Sequence, residues 1–291
     1  MYSAIAPLVG ALITLMYGVN SRFSGQVGNP VATLVIHLAG LGGISLLLLA
    51  RPEEKKPGRQ PFYLYLGGMV GVGTVFTSNY AFAALGASLA VALGLLGQTL
   101  SSLVLDATGF LGRKRYPPTA RSLPGIGLAF GGVAVLAGDW RLEPLAMLAG
   151  LASGAIPVLS VLLNSELGRR KGIFRSTRTN YIMGLATSLA IVAAYRLPFA
   201  ASARAVLVAG PVLALSGGLM GIVVVAAMSL IFPRIPAFSA TLLMFSGQAL
   251  SGVLIDLVAD GSFEPRKLAG SILVLSGLGV NALLSRSRAP A

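Results

Sequence analysis

Two stretches of this chain share one pattern, since "GQTLSSLVLD" at residues 97–106 returns as "GQALSGVLID" at residues 247–256. Gly, Gln, Leu, Ser and Asp fall at the same places, and the other positions are small or apolar in both copies. The match extends upstream, so that 67–106 aligns with 217–256 without a gap, and "GGMVGV" faces "GGLMGI". An apolar chain that repeats a Gln and an Asp in this way indicates a duplicated unit.

The rest of the chain continues the repeat with small changes of offset. Gly10 and Asn20 correspond to Gly154 and Asn164 at an offset of 144, and Gly125 corresponds to Gly270 at an offset of 145. The offset changes where loops differ in length. We therefore predict a five-helix unit used twice, as a first repeat over 1–140 and a second over 141–291.

The composition is that of a membrane protein. Hydrophobic residues make up 55% of the chain and charged residues only 11%, with a mean hydropathy of +0.82, whereas a soluble protein needs more charge on its surface. The net charge of +13 is therefore attributed to membrane loops rather than to nucleic-acid binding. There is no cysteine and a single histidine, His37, so we expect no redox chemistry, no metal site and no cofactor.

Apolar runs of about 20 residues, the length of a membrane span, recur along the whole chain. We predict ten spans with both termini in the cytoplasm, because this arrangement leaves most of the 22 lysines and arginines on the cytoplasmic side of the inner membrane. The first span is expected to be retained rather than cleaved. The predicted spans are 4–20, 29–50, 62–84, 88–109, 121–138, 143–163, 177–195, 206–231, 236–259 and 266–285.

The predicted fold is an all-α integral membrane protein with ten transmembrane helices as two inverted five-helix repeats. Five is an odd number, so the second repeat enters the membrane from the opposite side. This symmetry is common in secondary transporters, in which exchange of the two repeat conformations converts inward-open to outward-open states. The substrate site is then expected between the repeats, near the middle of the bilayer.

The first half also resembles a known family. "GALITLMYGVNSRFSGQVGNPVATLVIHLAGL" (10–41) and "NYAFAALGASLAVALGLLGQTLSSLVLDATGF" (79–110) carry the pattern of the YdcZ-like, EamA-related branch of the drug/metabolite transporter (DMT) superfamily. That resemblance implies a transporter with a central cavity lined chiefly by spans 1, 3, 4, 6, 8 and 9. His37 and "SLIFPRI" (229–235) depart from the pattern, so the two repeats are not expected to contribute equivalent site residues.

Polar residues inside the spans are the candidate substrate ligands, because a polar group in hydrocarbon needs a partner or a cavity. Gln98 and Gln248 can each offer a donor and an acceptor, or can bond the repeats together. Gly97 with Ser101 and Gly247 with Ser251 have the spacing of a helix-packing face, which we favour for them. The candidate set is Gln98, Gln248, Asn79, Tyr80, Tyr17, Asn20, Ser102 and Ser229. Asn20 can equally cap a helix, and Tyr80 can be an interfacial anchor.

Three titratable residues are candidates for proton coupling. Asp106 and Asp256 lie near the C-terminal ends of their helices, where the helix dipole disfavours a negative charge. Pairing with the basic residues that follow, such as Arg113 or Lys267, is the favoured interpretation, and coupling is the alternative. His37 has a side chain suited to a proton relay, although a lone histidine in an apolar helix commonly bonds to a neighbour.

The predicted function is secondary transport of a small polar neutral or cationic organic metabolite across the inner membrane by alternating access, with proton coupling left open. The protein is not expected to be an enzyme, although a membrane-embedded enzyme for lipid-linked substrates and a narrow channel are the alternatives considered. The expected partners are the substrate and membrane lipid, without nucleic acid. A homodimer through the fifth and tenth spans is also left open.

Overall fold

The computed structural model describes residues 2–54, 58–108, 123–137, 143–231, 237–260 and 265–286, and the regular elements within them are all helical. A 3-10 helix (Phe62–Leu66) precedes α3. The α-helices are α1 (Tyr2–Val27), α2 (Asn29–Ala50), α3 (Gly67–Leu85), α4 (Ala87–Thr108), α5 (Leu123–Ala137), α6 (Pro144–Lys171), α7 (Ile173–Ala194), α8 (Phe199–Ala209), α9 (Pro211–Ile231), α10 (Ala237–Asp260) and α11 (Pro265–Arg286).

The described residues thus form eleven α-helices, one more than the ten predicted spans. The extra helix arises because the predicted span 206–231 divides at Gly210 into α8 and α9. Gly210 has a φ of 85°, a conformation that favours glycine, and Pro211 begins α9. Proline suits a first helical position because its missing N–H would have no intrahelical partner there. Pro211 therefore starts a helix.

Equivalent helices of the two halves are joined in the same way. Gly28 connects α1 to α2 with a φ of 82°, and Gly172 connects α6 to α7 with a φ of 97°. These two glycines are 144 residues apart, as are the other equivalents of this part of the repeat. Each joint is a single residue in the left-handed region, which glycine adopts without a steric cost.

Four helices of the described chain are long and apolar enough to cross a membrane. These spans are Asn29–Ala50, Ala87–Leu105, Pro144–Lys171 and Pro211–Ile231, and shorter apolar stretches occur in α5, α8 and α10. The predicted number of ten membrane spans stays a prediction.

The two halves are packed crosswise. In the first half α1 contacts α9 and α10, and in the second half the equivalent α6 contacts α3 and α4. α2 packs on α7, and α5 packs on α11. Each half therefore places its first helix against the third and fourth helices of the other half, as a two-fold relation requires.

Glycines allow these crossed helices to approach closely. A Cβ on Gly10 would overlap the backbone of Met244, and a Cβ on the equivalent Gly154 would overlap the backbone of Gly94. Small residues at helix contacts are the usual means of close packing in membranes. The same holds for a second equivalent set, Gly97 against Leu151 and Gly247 against Pro7. These contacts confirm the packing role predicted for Gly97 and Gly247.

The contacts made by α3 also show that α1 and α6 begin at opposite faces of the bundle. Near the start of α3, Gly67 contacts Asn164, which lies near the end of α6. Twelve residues later, or about 18 Å along the helix axis, Asn79 accepts a hydrogen bond from Ser21 near the end of α1. The C-terminal parts of α1 and α6 therefore lie at opposite ends of α3, in agreement with an inverted relation.

Candidate functional site

A cluster of polar side chains joins α1, α2 and α3 at one end of the bundle. We call Asn20, Ser21, Asn29 and Asn79 the Asn20 cluster. Ser21 Oγ donates to the Asn79 carbonyl at 2.9 Å, Asn29 Nδ2 donates to the Phe76 carbonyl at 3.0 Å, and Asn79 Nδ2 donates to Asn29 Oδ1 at 3.0 Å. Asn20 and Asn79 are almost completely buried, with exposed fractions of 2% and 1%.

These bonds fix the orientation of two amides. The Phe76 carbonyl can only accept, so Asn29 must present its nitrogen to it and its oxygen to Asn79. Asn79 must then turn its nitrogen to Asn29, which leaves its own Oδ1 pointing elsewhere. That oxygen is buried and accepts no hydrogen bond from the described residues, and the same is true of Asn20 Oδ1. Buried acceptors without a donor are uncommon and costly.

The equivalent cluster at the other end of α3 has more internal bonds. We call Ser160, Asn164, Ser176 and Asn180 the Asn164 cluster. Asn164 Nδ2 donates to Asn180 Oδ1 at 2.8 Å and to Ser160 Oγ at 3.3 Å. Ser160 Oγ donates to the Gly67 carbonyl and Ser176 Oγ donates to the Asn164 carbonyl, both at 2.8 Å. This cluster binds α6, α7 and the start of α3 together.

Asn20 and Asn164 are equivalent residues with equivalent glycine neighbours. Asn20 lies against Gly217, and Asn164 lies against Gly67, each in the space that a Cβ would fill. The surroundings differ, because Asn180 corresponds to Ile36 in the first half and therefore has no polar counterpart there. The repeat thus conserves the asparagine and its glycine, while the hydrogen-bonding partners are specific to each half.

Tyr17 and Tyr80 have different surroundings. Tyr17 is half-buried and packs edge-on against Phe82, with 5.6 Å between the ring centroids. It also borders two hydrophobic clusters, one of α3 and α4 and one of α1, α9 and α10. Tyr80 is exposed, and its hydroxyl donates to Glu143 Oε2 at 3.0 Å. Of the sequence candidates, Tyr80 is the one whose position least suits an internal site and best suits a surface anchor.

The two glutamines differ in burial. Gln248 is buried in α10, and its backbone carbonyl accepts a hydrogen bond from Thr14 of α1 at 3.2 Å. Gln98 is half-buried in α4, as is Ser102. The described contacts do not join the two glutamine side chains. Ser229, the equivalent of Asn79, is buried near the end of α9 beside the core residue Met228.

Asp256 binds the start of a helix from the other half. Its Oδ1 accepts from the Ala87 amide at 2.8 Å, and its Oδ2 accepts from the Ser88 amide at 2.9 Å. These amides begin α4, where the helix dipole is positive and the backbone donors have no intrahelical partner. Lys267 Nζ lies 3.7 Å from Oδ2, which confirms the predicted basic partner. The backbone donors of α4 were not predicted. The side chain of Asp106, the equivalent acid, lies outside the described residues.

His37 lies opposite its own repeat equivalent, Tyr181. The centroids of the two rings are 6.0 Å apart. Each ring packs against a glycine of the facing helix: the His37 ring contacts Gly184 of α7, and the Tyr181 ring contacts Gly40 of α2. His37 Nδ1 is 2.8 Å from the Thr33 carbonyl, which can only accept, so Nδ1 carries the proton. This is the neighbour bond expected of a structural histidine. The pair therefore sits where α2 and α7 cross, at the centre of the two-fold relation.

An open cleft of about 510 Å³ lies between the end of α1 and α8, and Gln26 and Arg204 are its polar lining residues. The central chamber expected from the sequence therefore stays a prediction. Among the described residues, no group of three or more His, Asp or Glu side chains is placed to hold a metal ion.

Several residues of the two clusters and of the His37–Tyr181 pair had not been identified from the sequence. Asn29 was taken only as the start of a helix, and Asn180 and Tyr181 were not singled out. The repeat itself could have identified Tyr181, because an offset of 144 from His37 leads to it. Asn180 has an apolar equivalent, so the repeat gives no signal for it.

The chain matches one protein-family model twice, over residues 1–135 and 145–280, and that family is described as "Putative inner membrane exporter, YdcZ". A solved structure titled "Crystal structure of protein" matches 98% of this chain and 98% of its own chain, with 20% sequence identity and a TM-score of 0.62. At that identity the likeness shows a shared fold alone. A comparison with curated proteins gives no match.

Proposed function

Because this chain belongs to the YdcZ family of inner membrane exporters within the DMT superfamily, we propose that it is a secondary transporter working by alternating access. The substrate we propose is a small polar neutral or cationic organic metabolite. The observation that carries the proposal is the crosswise packing of two equivalent halves, in which α1 and α6 each contact the third and fourth helices of the other half.

Such packing supports alternating access because the two halves can exchange conformations. Gly10 against Met244 and Gly154 against Gly94 are equivalent contacts made by equivalent helices. A conformation adopted by one half is therefore available to the other, and exchange would move the opening from one membrane face to the other. We propose that the moving units are the repeats 1–140 and 141–291, and that both termini are cytoplasmic.

The proposed substrate ligands are those candidates that face the interior. Asn79 and Tyr17 lie towards the C-terminal end of α3, Asn20 lies against Gly217 of α9, and Ser229 lies near the end of α9. We retain Gln98, Gln248 and Ser102 as ligands from α4 and α10, the helices that carry the repeated Gln and Asp. We give Tyr80 no ligand role, because its hydroxyl is bonded to Glu143 at the surface.

Coupling by a proton is a further part of the proposal, with Asp106, Asp256 and His37 as its candidates. Asp256 already binds two amides of α4, so protonation there would weaken a contact between the halves. A folded Asp256→Asn variant whose transport keeps the wild-type pH dependence would exclude Asp256 from coupling.

A dimer, if it forms, would use the remaining faces of α5 and α11. These helices already pack closely on each other through Gly132 and Gly270. Their exposed apolar side chains include Leu123, Phe130 and Ile272, which would be available to a second copy or to lipid.

The decisive experiment is counterflow in proteoliposomes. Vesicles loaded with an unlabelled candidate solute are diluted into labelled solute, and transient accumulation of label is expected only for a carrier, because a channel equilibrates the two pools directly. Protein-free vesicles and vesicles with heat-denatured protein serve as controls. Equilibration without accumulation would favour the channel, and no movement of any amine, amino acid or neutral metabolite under any gradient would contradict the proposal.

A further inference from the structure

Contacts between the two halves close the bundle where α6 ends, a region that we call the α6 end. Arg170 Nη1 donates to Gln60 Oε1 at 3.0 Å. Gln60 lies in the connection between α2 and α3, so this bond joins the second half to the first. Four residues later, Leu64 of the 3-10 helix packs with Leu163 and Leu167 of α6 in one hydrophobic cluster and is only 1% exposed. The α6 end is therefore both hydrogen-bonded and packed.

A second set of contacts covers the joint between α6 and α7. The carboxylate of Glu53 lies against Gly172 and accepts from the Arg175 amide at 2.9 Å. The Arg175 guanidinium donates in turn to the Glu53 carbonyl. Glu53 belongs to the same connection as Gln60, so the first half holds the α6 end at two places along one segment.

The equivalent region where α1 ends, which we call the α1 end, is open. Gly28 corresponds to Gly172, yet it has open space at the place where Gly172 meets Glu53. α8 lies in the connection between α7 and α9, and none of its residues is buried. The cleft of about 510 Å³ lies here, with Gln26 and Arg204 in its lining. The described contacts do not join these two side chains.

Both ends carry an arginine and a glutamine, with their places exchanged. Gln26 and Arg170 are equivalent at the offset of 144, and each lies near the end of the first helix of its half. Gln60 and Arg204 lie in the corresponding connections, whose helical parts pack on α6 and α1 respectively. An arginine donor and a glutamine acceptor are thus bonded at the α6 end and line one cleft at the α1 end.

We propose that these two pairs are alternate latches of the carrier. The Gln60–Arg170 pair closes the α6 end in the conformation described. After the halves exchange conformations, that bond is broken and the Gln26–Arg204 pair closes the α1 end. This inference rests on the proposed function and adds to it the residues that hold each state. One latch formed and the other open is the arrangement that alternating access requires, because each face must be closed while the other is open.

The test uses thiol reporters, because the chain has no cysteine of its own. Leu64→Cys reports on the α6 end, where the side chain is buried in the conformation described. Tyr65→Cys is a second reporter in the same 3-10 helix, and it removes less of the core because Tyr65 is only partly buried. The measurement is the rate of alkylation by N-ethylmaleimide in detergent-solubilised full-length protein, after circular dichroism has shown that each variant is folded.

The decisive variants lie at the α1 end, because a purely local contact there would not change a reporter at the α6 end. Gln26→Glu adds a charge that favours pairing with Arg204, so it should populate the opposite conformation and speed alkylation of Leu64→Cys by about threefold to tenfold. Arg204→Ala should slow it. The double variant Gln26→Glu, Arg204→Ala should show no acceleration, although Arg22, one turn before residue 26, is still present.

Variants at the α6 end complete the set. Gln60→Ala removes the bond to Arg170 and should speed alkylation of Leu64→Cys. Arg169→Ala is the matched control, because Arg169 is bonded to Glu166 of its own helix, and it should leave the rate unchanged.

Two results would overturn the inference. Gln26→Glu and Arg204→Ala could both leave alkylation of the two reporters at the parent rate, which would show that the ends are not coupled through this pair. Acceleration that persists in the double variant would show that the added charge acts without Arg204.

The latches and the transporter proposal fail separately. Coupling between Gln26→Glu and the Leu64→Cys reporter, together with no counterflow of any amine, amino acid or neutral metabolite, would leave the latches in place and contradict the transporter proposal. Counterflow in vesicles without that coupling would contradict the latches and leave the transporter proposal in place.

Discussion

Removal of the Asp256 carboxylate tests whether the two halves are held together as the structure shows. The carboxylate accepts from the Ala87 and Ser88 amides at 2.8 and 2.9 Å in a buried setting. Hydrogen bonds to a charged group contribute about 1.5–3 kcal/mol each, and loss of a helix N-cap costs about 0.5–2 kcal/mol. We expect Asp256→Ala to lower the free energy of unfolding by about 2–4 kcal/mol, a range between these two estimates. We expect Asp256→Asn, which keeps one acceptor oxygen, to lower the free energy of unfolding by about 1–2 kcal/mol.

The assay is equilibrium unfolding of purified protein in mixed detergent micelles, followed by circular dichroism. Glu54→Gln is the matched control, because it also removes a carboxylate but from an exposed side chain, where changes are usually within about 0.5 kcal/mol. If Asp256→Asn and Asp256→Ala both unfold within about 0.5 kcal/mol of the wild type, the carboxylate does not stabilise the contact between α10 and α4, and the reasoning fails.

Three further predictions concern packing and topology. Gly154→Ala places a Cβ into the backbone of Gly94 and should lower the free energy of unfolding by about 1–3 kcal/mol. Gly42→Ala is the control, because Gly42 has open space around it, and this change should be neutral or stabilise the protein by up to about 1 kcal/mol. Equal effects of the two variants on unfolding in detergent would contradict the crossed packing. Tyr181→Phe removes the hydrogen bond to the Gly218 carbonyl and should cost about 0.5–1.5 kcal/mol in the same assay, and no loss would show that the bond contributes nothing. A phosphatase fused to the C-terminus should be inactive and a fused fluorescent protein should be bright in cells, and the opposite pattern would reverse the proposed topology.

The first and last residues of a helix were predicted well where proline and glycine mark its start. α2 begins and ends at the predicted residues 29 and 50, because Gly28 and Pro30 define its start. Residues 164–176 were predicted as a connection between two spans, yet α6 continues to Lys171 and α7 starts at Ile173. Glu166 pairs with Arg169 and Arg170 one turn away. Such pairs stabilise a helix, and basic residues suit its C-terminal end.

The site was predicted only in part, because its geometry depends on partners that have no sequence signature. Asp256 was identified from its place in the repeat, but its principal partners are two backbone amides of α4, which any residue would supply. Asn20 and Asn79 were identified as polar residues within spans, whereas the side-chain partner of Asn79 is Asn29, which sequence pattern assigns to a helix start. A repeat identifies equivalent positions, and it cannot show which of two equivalent side chains lacks a partner.

The differences between the halves bear on mechanism as much as their similarity does. Contacts that the two halves share, such as those of Gly10 and Gly154, involve backbone and small residues, and in the proposed mechanism they would let both halves adopt the same two arrangements. The polar groups differ, since His37 faces Tyr181 and Asn180 has only Ile36 as its equivalent. A carrier needs equivalent packing in its two states, but it needs only one binding site. The proposed exchange of conformations between symmetric scaffolds around one asymmetric set of ligands would satisfy both requirements, and it would explain why the glycines repeat while the asparagine partners do not.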